Sequence, residues 1–435
     1  MAIEERVSAL APGLRERILA AVEEGFAAQL ELTRATVRCP SLRGQEHTVQ
    51  DLLHDELKAR GYVMDRWRLD PVSLATHEGA SPVDVDYSNA INVVATHRPR
   101  EERGRSLIIN GHVDVVPTGP LSMWARPPFE PVVEGDWLYG RGAGDMKAGL
   151  VGAIAALDAL RRCGLQPAAR LHLESVVEEE STGNGALACH QRGYRAEAAL
   201  IPEPGGERLA RANVGVVWFR IEIAGRPVHV AHATTGANAI LASQPLVAAL
   251  KELEAEWNAQ RADEPWFEDQ KHPININVGK IAGGDWASSV PSWCTLHCRA
   301  SFYPSMDPAE ALAEIERRLA AASRDDPFLA ENPPKVVNNG FHVRGYALEP
   351  GSDAEQLLGA AHAQAFGGAA LETHVMPAYL DARVTALYDG IPTLVYGPVA
   401  ENIHGFDERV SLSSLKRVTG AMALFIAGWC GTETI

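Results

Sequence analysis

Apolar positions near the start of the chain repeat at helical spacing. They do so over residues 17–36 and 45–60, and the helix breakers Pro40 and Gly61 follow these two stretches. The polar stretch 70–90 has little apolar content and is predicted to be a surface excursion. Short β-rich runs then alternate with a helical one: INVVATH, SLIINGHVDVV, AGLVGAIAALDALRRCG, ARLHLESVV and AALIPEP. This alternation predicts a layered α/β domain.

The hydrophobic pattern changes from about Val214. The runs that follow are ordered strand, helix, strand, strand, helix, strand, which is the order of the split βαβ, ferredoxin-like unit. After this unit, the alternation of helices and strands seen before residue 214 resumes. We therefore predict a discontinuous catalytic domain, residues 1–213 and 344–435, with an inserted α+β ferredoxin-like domain at residues 214–343.

Length and composition indicate an ordinary globular protein of two or three domains. The chain has 435 residues, of which 46% are hydrophobic and 22% charged, and its formal charge is -16. Such a charge repels phosphate backbones and argues against nucleic acid as a partner. There is no signal-peptide core, no apolar run near the ~18 residues that span a membrane, and no CxxC pair among the six cysteines. We therefore expect a cytoplasmic protein with no membrane partner.

His112 and Asp114 lie two residues apart in NGHVDVVP, near the end of a predicted strand. Their side chains point to the same face, so Asp114 could orient His112 as a metal ligand, although a hydrogen-bonded turn pair explains them equally well. Asp145, in GRGAGDMKAG, is either a ligand or the cap of the following helix. The glycines of that run do not have the spacing of a phosphate-binding loop.

Four acidic residues lie at the ends of two apolar strands. Glu178, Glu179 and Glu180 follow one strand in SVVEEESTGNG, and Glu203 follows another in IPEPGG. Burying each of several neighbouring carboxylates would cost several kcal/mol without compensating cations or protons. Either the cluster is exposed or something positive binds there.

Five possible ligands therefore lie at strand-to-loop boundaries of one α/β pattern, where open sheets place their sites: His112, Asp145, Glu180, Glu203 and, in a loop after the strand TLVYG, His404. Imidazole and carboxylate donors without a thiolate suit zinc, cobalt or manganese in an open catalytic site. Three carboxylates and one hydroxide balance two divalent cations, so charge favours a pair of ions.

With these residues assembled, the chain resembles the family of dinuclear zinc amidohydrolases that includes aminoacylase, acetylornithine deacetylase, succinyl-diaminopimelate desuccinylase and glutamate carboxypeptidase. The matching runs occur in the family's order over nearly the whole chain: GHVDVVP, GRGAGDMKAG, EEE-x-x-G, PEP, VHVAHATTGANAI, GIPTLVYGP and H-G-x-D-E. The resemblance implies a three-layer α/β/α zinc-peptidase-like catalytic domain, with the inserted domain acting as a lid and as the interface of a homodimer.

The resemblance also implies a role for each ligand. Asp145 would bridge two divalent metal ions, zinc first and cobalt or manganese as alternatives. Glu180 and His404 would hold one ion, and His112 and Glu203 the other.

The same resemblance implies that a hydroxide between the ions is the nucleophile. Glu179 would be the general base that takes up its proton and later protonates the leaving amine, while Asp114 would orient His112. His229 would stabilise the oxyanion, in such families often from the lid of the other subunit. His232 is the less favoured alternative for that role.

Arg299 and Arg383 are candidates for binding a substrate carboxylate, because a guanidinium can donate two parallel hydrogen bonds to it. A surface or hinge salt bridge is the alternative for each. We expect Ser288 and Asn238 to contact substrate as well. Ser288 and Leu380 stand where the family often carries Asn and Thr, so the resemblance leaves the substrate open.

We predict hydrolysis of the amide bond of an N-acyl amino acid, with a metallopeptidase acting on a dipeptide or a C-terminal residue as the alternative. A non-catalytic binding relative is a remote alternative, because all the ligands and Glu179 are present. We reject nucleic-acid binding by the ferredoxin-like unit, which lacks stacking aromatics and a basic stripe. The expected partners are a small N-acyl amino acid or peptide and a second copy of the chain.

Overall fold

A mixed six-stranded sheet forms the centre of the larger domain. The structure, a computed structural model, describes Leu10 and residues 13–435. From edge to edge, the strands are Val63–Arg68, Ile91–His97, Leu171–Val176, Leu107–His112, Ala198–Ile201 and Thr393–Val395. The last four run parallel, so their C-terminal ends lie at the same end of the sheet.

Helices cover both faces of this sheet. One face carries the longer ones: Leu14–Arg38, His47–Ala59, Ala148–Arg162, Asp353–Ala365 and Leu412–Cys430. The other face carries Asn184–Arg192. The helix Ala148–Arg162 is apolar almost all round because it lies between the sheet and two other helices.

The second unit is an antiparallel sheet of four strands with two long helices on one face. Its strands, in spatial order, are Ile276–Gly283, Trp293–Phe302, Gly215–Ala224 and Lys335–Val343. Its long helices are Ala239–Ala259 and Pro308–Arg324. This order and the chain's path through it are those of the ferredoxin-like unit. The predicted fold class, a three-layer α/β/α domain with an inserted α+β lid, is confirmed.

Along the lid strand Gly215–Ala224, buried and partly exposed residues alternate. Phe219 and Ile221 pack into a separate core beneath the lid helices, whereas Trp218 and Arg220 face the opposite side. The lid therefore turns its polar and aromatic face away from its own helices.

Short strands and helices complete the described part of the chain. The remaining strands are Val132–Glu134, Trp137–Tyr139, Leu165–Pro167, Leu209–Asn213, Tyr346–Ala347, Thr373–Met376, Ala400–Glu401, Arg409–Ser411 and Thr432–Thr434. The remaining short α-helices are Pro71–Leu74 and Pro327–Glu331. None of the helices described is long and apolar enough to cross a membrane.

The stretch 70–90 is largely exposed, as predicted for a surface excursion, but a few buried residues anchor it to the catalytic domain. Tyr87 is buried, and its hydroxyl donates a hydrogen bond to Glu178 Oε2 at 2.7 Å. Ser81 is also buried, and its hydroxyl donates to the Thr182 carbonyl at 2.7 Å. These two buried anchors were not predicted, because their side chains are polar and their partners lie far along the chain.

Candidate metal centre

The predicted ligands meet where the four parallel strands end. His112 is the last residue of one strand, Glu180 and Glu203 follow two others closely, and His404 lies in the loop beyond the fourth. Asp145 lies in the glycine-rich turn that precedes the apolar central helix. We call these five residues the ligand cluster.

Asp145 lies between the two histidines of the cluster. Its Oδ1 is 3.1 Å from His112 Nε2, and its Oδ2 is 3.4 Å from His404 Nε2. His112 Nε2 also lies 3.6 Å from Glu203 Oε1, and His404 Nε2 lies 3.1 Å from Glu180 Oε1. Two groups of ligand atoms, each within 4.8 Å of one another, therefore share Asp145.

This donor set fits two ions of the zinc type. Two ligand atoms ~2.0–2.1 Å from a tetrahedral zinc lie roughly 3.3 Å apart, close to the separations in the cluster. Imidazole nitrogens and carboxylate oxygens are also the donors of catalytic zinc, cobalt and manganese sites. Glu179 is within reach of the same space, because its carboxylate belongs to a third close group with His112 and Glu180.

The cluster holds more negative charge than its histidines balance. Burial and the Asp145 carboxylate raise the pKa of Glu180, and they raise the pKa of Glu203 well above its ordinary value. Burial alone would lower the pKa of His404, but the carboxylates of Glu180 and Asp145 outweigh it and raise that pKa to about 10. The metal-free cluster therefore attracts protons, and divalent cations compete for the same carboxylates.

The three consecutive glutamates have different surroundings. Glu178 has a left-handed backbone (φ 69°), and its Oε1 lies 2.5 Å from Arg43 Nε. Glu179 and Glu180 instead face a cavity beside the ligand cluster. Sequence reasoning missed Arg43, because its contact with Glu178 joins residues 135 positions apart and no local pattern marks it.

Asp114 contacts both His112 and the glutamate loop. Its backbone carbonyl accepts a hydrogen bond from His112 Nδ1 at 3.0 Å, while a carboxylate oxygen lies 3.5 Å from that nitrogen. The carboxylate accepts the backbone N–H groups of Glu179 at 3.3 Å and of Glu180 at 3.0 Å. A proton on Nδ1 leaves the Nε2 lone pair of His112 facing Asp145.

A buried ion pair joins the turn that carries Asp145 to the loop that carries His404. Arg141 Nη1 lies 2.6 Å from Glu408 Oε2, and both side chains are buried. Glu408 Oε1 accepts the backbone N–H of Asp145 at 3.1 Å, and Arg141 Nη2 donates to the Gly405 carbonyl at 3.0 Å. Sequence reasoning named neither partner, although both lie in the runs GRGAGDMKAG and H-G-x-D-E.

A cavity of about 590 Å³ opens beside the ligand cluster, between the catalytic domain and the lid. The lid contributes Trp218, Arg299 and Phe341, and the catalytic domain contributes Tyr379 and Leu380 among others. Burial lowers the pKa of Arg299 to about 10. Within the described residues, no carboxylate forms an ion pair with Arg299. The Arg299 side chain therefore lies beside the cluster, and its contact with substrate stays a prediction.

Arg383 lies outside this cavity. It is fully buried, its Nε donates to the Tyr379 hydroxyl at 3.2 Å, and its Nη2 donates to the Gly79 carbonyl at 3.1 Å. Its remaining terminal nitrogen donates to the Tyr388 hydroxyl at 3.3 Å. The Arg383 guanidinium thus holds Tyr379, which lines the cavity. Its nitrogens are already hydrogen-bonded, so it does not offer a pair of N–H groups to a substrate carboxylate.

Three further predicted site residues lie on the lid, outside the cavity. His229 is exposed, and its Nδ1 accepts the backbone N–H of Ala231 at 3.1 Å. Asn238 caps the helix Ala239–Ala259 through its side-chain oxygen, and Ser288 is exposed. Their predicted contacts with substrate stay predictions.

The chain is similar in sequence to two groups of curated bacterial proteins. It is 30% identical over 363 residues to N-formyl-4-amino-5-aminomethyl-2-methylpyrimidine deformylase of Halalkalibacterium halodurans, covering 79% of this chain and 84% of the relative. It is 28% identical over 409 residues to succinyl-diaminopimelate desuccinylase of Methylobacterium nodulans, covering 90% and 93%.

Solved structures share the fold at lower sequence identity. The di-peptidase Dug1p from Saccharomyces cerevisiae aligns with a TM-score of 0.80 at 14% identity, over 96% of this chain and 98% of that one. Human carnosine dipeptidase 1 aligns with a TM-score of 0.76 at 14% identity, over 96% and 99%. Residues 108–428 match the family model described as peptidase family M20/M25/M40. The chain therefore belongs to peptidase family M20/M25/M40, a family of metal-dependent enzymes that hydrolyse amide bonds.

Proposed function

We propose that the protein hydrolyses the amide bond of an N-acyl amino acid, using two divalent metal ions at the ligand cluster. The observation that carries this proposal is Asp145, whose two carboxylate oxygens face different histidines beside a cavity. In the proposed arrangement His112 and Glu203 hold one ion, and Glu180 and His404 hold the other.

Two side chains of the protein have proposed roles in proton transfer: one moves the proton and the other positions the first. Zinc, cobalt or manganese, when bound, would polarise the scissile carbonyl and lower the pKa of water far below its ordinary value, towards ~7. Glu179 is the proposed general base, because its carboxylate lies 3.9 Å from His112 Nε2 and is not required as a ligand in either group that shares Asp145. Asp114 positions this base through the backbone N–H of Glu179.

Arg299 is the proposed contact for the substrate carboxylate. It shares the cavity with the ligand cluster and has no ion-pair partner among the described residues, so its guanidinium is available for two parallel hydrogen bonds. A dipeptide or a C-terminal residue would offer the same carboxylate, and the metallopeptidase function stays the alternative at this site.

An N-formyl amine on an aromatic ring is a second candidate substrate. Trp218, Phe341 and Tyr379 form an aromatic part of the cavity wall, which suits a flat ring. The similarity to the pyrimidine deformylase supports this candidate. Such a substrate has no carboxylate for Arg299 to bind, so the two candidates differ in what the lid recognises.

We also propose a homodimer through the lid. Large apolar side chains are exposed around its outer strand Ile276–Gly283: Val230 (50%), Leu241 (57%), Ile281 (57%) and Trp286 (73%). Exposed apolar surface at the edge of a sheet favours association. His229 lies in the same region and outside the cavity, and a second subunit would bring a copy of it towards the ligand cluster.

A substrate panel tests the proposed function. Chelator-treated protein, with and without added zinc, cobalt or manganese, is assayed on N-acetyl, N-formyl, N-succinyl and N-carbamoyl amino acids, an N-formyl aminomethylpyrimidine and dipeptides. We expect metal to restore amine release from an acylated amino acid. Cleavage of dipeptides alone supports the peptidase, cleavage of the pyrimidine alone supports the second candidate, and failure to bind metal contradicts all three.

Arg299→Ala separates the substrate classes in the same assay. For a substrate with a carboxylate we expect KM to rise at least about tenfold, because a charged hydrogen bond is lost. The control is Arg220→Ala on the same lid sheet, where Arg220 Nε is paired with Glu222 Oε1 at 2.6 Å. An unchanged KM for the Arg299 variant contradicts the proposed contact.

A further inference from the structure

A basic groove of about 460 Å³ lies at the end of the six-stranded sheet away from the ligand cluster. Arg98 directly follows the strand Ile91–His97, and Arg170 directly precedes Leu171–Val176. The groove is therefore near the beginning of a parallel strand, whereas the ligand cluster lies where those strands end. Its charged and titratable lining is Asp65, Arg98, Arg170, His172, Arg192, Tyr194 and Arg195.

Two of the four arginines in the groove have carboxylate partners. Arg192 makes two parallel contacts with Asp65, from Nε at 2.6 Å and from Nη2 at 2.9 Å. Arg195 Nε lies 2.9 Å from Asp389 Oδ1. Asp65, the carboxylate that lines the groove, is therefore already paired with Arg192.

Arg98 and Arg170 have no carboxylate partner within the part of the chain that the structure describes. The antiparallel register pairs Thr96 with His172, and its continuation past the strand ends brings Arg98 opposite Arg170. Like charges at directly opposite positions destabilise a pair of strands. The Arg170 Nε is also buried without a hydrogen-bond partner.

His172 lies at the base of these two arginines. Its side chain is buried, with 7% of its surface exposed, and its Nδ1 lies 2.9 Å from Thr96 Oγ1. Burial, together with the Arg170 and Arg98 guanidiniums, lowers the pKa of His172 to about 4. A neutral ring adds no positive charge and leaves the two guanidiniums as the uncompensated charges of the groove.

We propose that this groove binds a phosphate-type dianion, either free phosphate or the phosphate group of an ester, between Arg98 and Arg170. A guanidinium donates two parallel hydrogen bonds to a phosphate, and one tetrahedral anion offers oxygens to two such groups. The anion would replace a repulsion between two cations with two charge-assisted contacts. The site is separate from the ligand cluster and does not depend on the proposed reaction.

Titration calorimetry on the metal-loaded protein tests this site. Inorganic phosphate, sulfate and adenosine monophosphate are titrated at constant ionic strength, so that the arms distinguish free anion from ester. We expect one saturable site per chain, and in Arg98→Ala/Arg170→Ala a loss of affinity of at least about tenfold. Arg98→Lys/Arg170→Lys keeps both positive charges but loses the two parallel hydrogen bonds of each guanidinium, so it should retain part of the affinity.

The controls separate this groove from the metal centre. Arg103→Ala removes an exposed arginine outside the groove that pairs with Glu101, and it should bind the anion as the unmodified protein does. Phosphate bound only at the metals would survive the double alanine substitution, and that result overturns the proposal. Absence of saturable binding to the unmodified protein overturns it as well.

A measurement on the unmodified chain covers the case in which the double variant does not fold. Saturating phosphate should shift the ring resonances of His172, assigned with a His172→Gln variant, and leave those of the exposed His232 unchanged. Equal shifts of both rings, or none, contradict binding in the groove.

Discussion

Each residue of the ligand cluster lies at or just beyond the end of a strand, or in a turn or loop, and Asp145 is the member with two neighbouring histidines. Glu179 differs from the others, because the two groups of atoms that share Asp145 are complete without it. The residues proposed to hold the metal ions and the residue proposed to move the proton should therefore respond differently to substitution.

Glu179→Gln should lower kcat by about 10²–10⁴-fold while the bound metal stays in place, because a general base is lost and no required ligand is removed. Asp145→Ala should lose metal as well as activity. Metal content by elemental analysis and kcat on the best substrate of the panel distinguish the two. A Glu179→Gln protein with unchanged kcat would refute the role of this residue as general base.

Residue type and strand ends were enough to predict which side chains gather, and the structure brings together all five predicted ligands. Orientation was not predictable in the same way. Glu178 is adjacent to Glu179 in sequence, yet it pairs with Arg43, and Arg383 is enclosed by two tyrosine hydroxyls. These outcomes depend on partners that are distant in sequence or held by a loop, and a local pattern carries no information about them.

Glu174 provides a pH-dependent stability test outside the ligand cluster. It is buried, with 3% of its surface exposed, and accepts a hydrogen bond from Asn110 Nδ2 at 3.0 Å. Burial raises the pKa of Glu174 to about 8. Between the unfolded pKa of ~4.3 and this value the folded chain binds more protons, so the contribution of Glu174 to stability falls as pH rises.

Glu174→Gln should therefore gain stability relative to the unmodified protein as pH rises from about 5 to about 9, by up to a few kcal/mol. Urea unfolding at both pH values measures the difference. Glu102→Gln, at an exposed position, should show no such trend. A difference that is the same at both pH values would show that Glu174 is ionised in the folded protein.

At the scale of elements, helices and strands with a regular hydrophobic period were predicted well. The helix Ala148–Arg162 and the strands of the lid lie where the pattern placed them. The anchoring of the otherwise exposed stretch 70–90 was not predicted, because its buried Ser81 and Tyr87 are fixed by hydrogen bonds to Thr182 and Glu178. Polar burial of this kind leaves no apolar period in the sequence.

The buried pair of Arg141 and Glu408 makes two loops into one support for the ligand cluster. Glu408→Ala should destabilise the protein by ~3–5 kcal/mol, because a buried guanidinium loses its partner. It should also weaken metal binding, since Asp145 loses a backbone contact. Chemical unfolding and metal titration measure both effects.

Glu134→Ala is the matched control for that substitution, because Glu134 forms an ion pair with Arg126 in which both side chains are partly exposed. Exposed pairs contribute only ~0–1 kcal/mol, so this variant should unfold almost as the unmodified protein does. Equal losses of stability in the two variants would mean that the Arg141 pair gives no special support.

At the scale of the whole molecule, the proposed dimer explains two observations: the exposed apolar edge of the lid and the position of His229 outside the cavity. Leu241→Asp/Ile281→Asp should convert the proposed dimer into a monomer, lower kcat, and leave the metal content unchanged. Sedimentation and kcat measure the effect, with Val133→Asp as an exposed apolar control in the catalytic domain. A fully active monomer contradicts the proposed role of the second subunit.

Subunit mixing shows which chain supplies His229. Glu179→Gln and His229→Ala are each expected to be nearly inactive alone, but a mixed dimer that shares its histidines across the interface contains one complete site. Partial recovery of activity after mixing indicates that the histidine acts on the neighbouring subunit. No recovery, with mixed dimers present, indicates that each chain uses its own.

The discontinuity of the catalytic domain sets an order of events during synthesis. The strand Thr393–Val395, which closes one edge of the six-stranded sheet, lies after the whole lid in sequence. All four lid strands have left the ribosome once residue 343 has emerged, whereas the larger sheet still lacks that strand and the ligand cluster still lacks His404. The nascent chain therefore carries a complete lid beside a ligand cluster that still lacks one member, and the cluster is complete only once His404 has emerged.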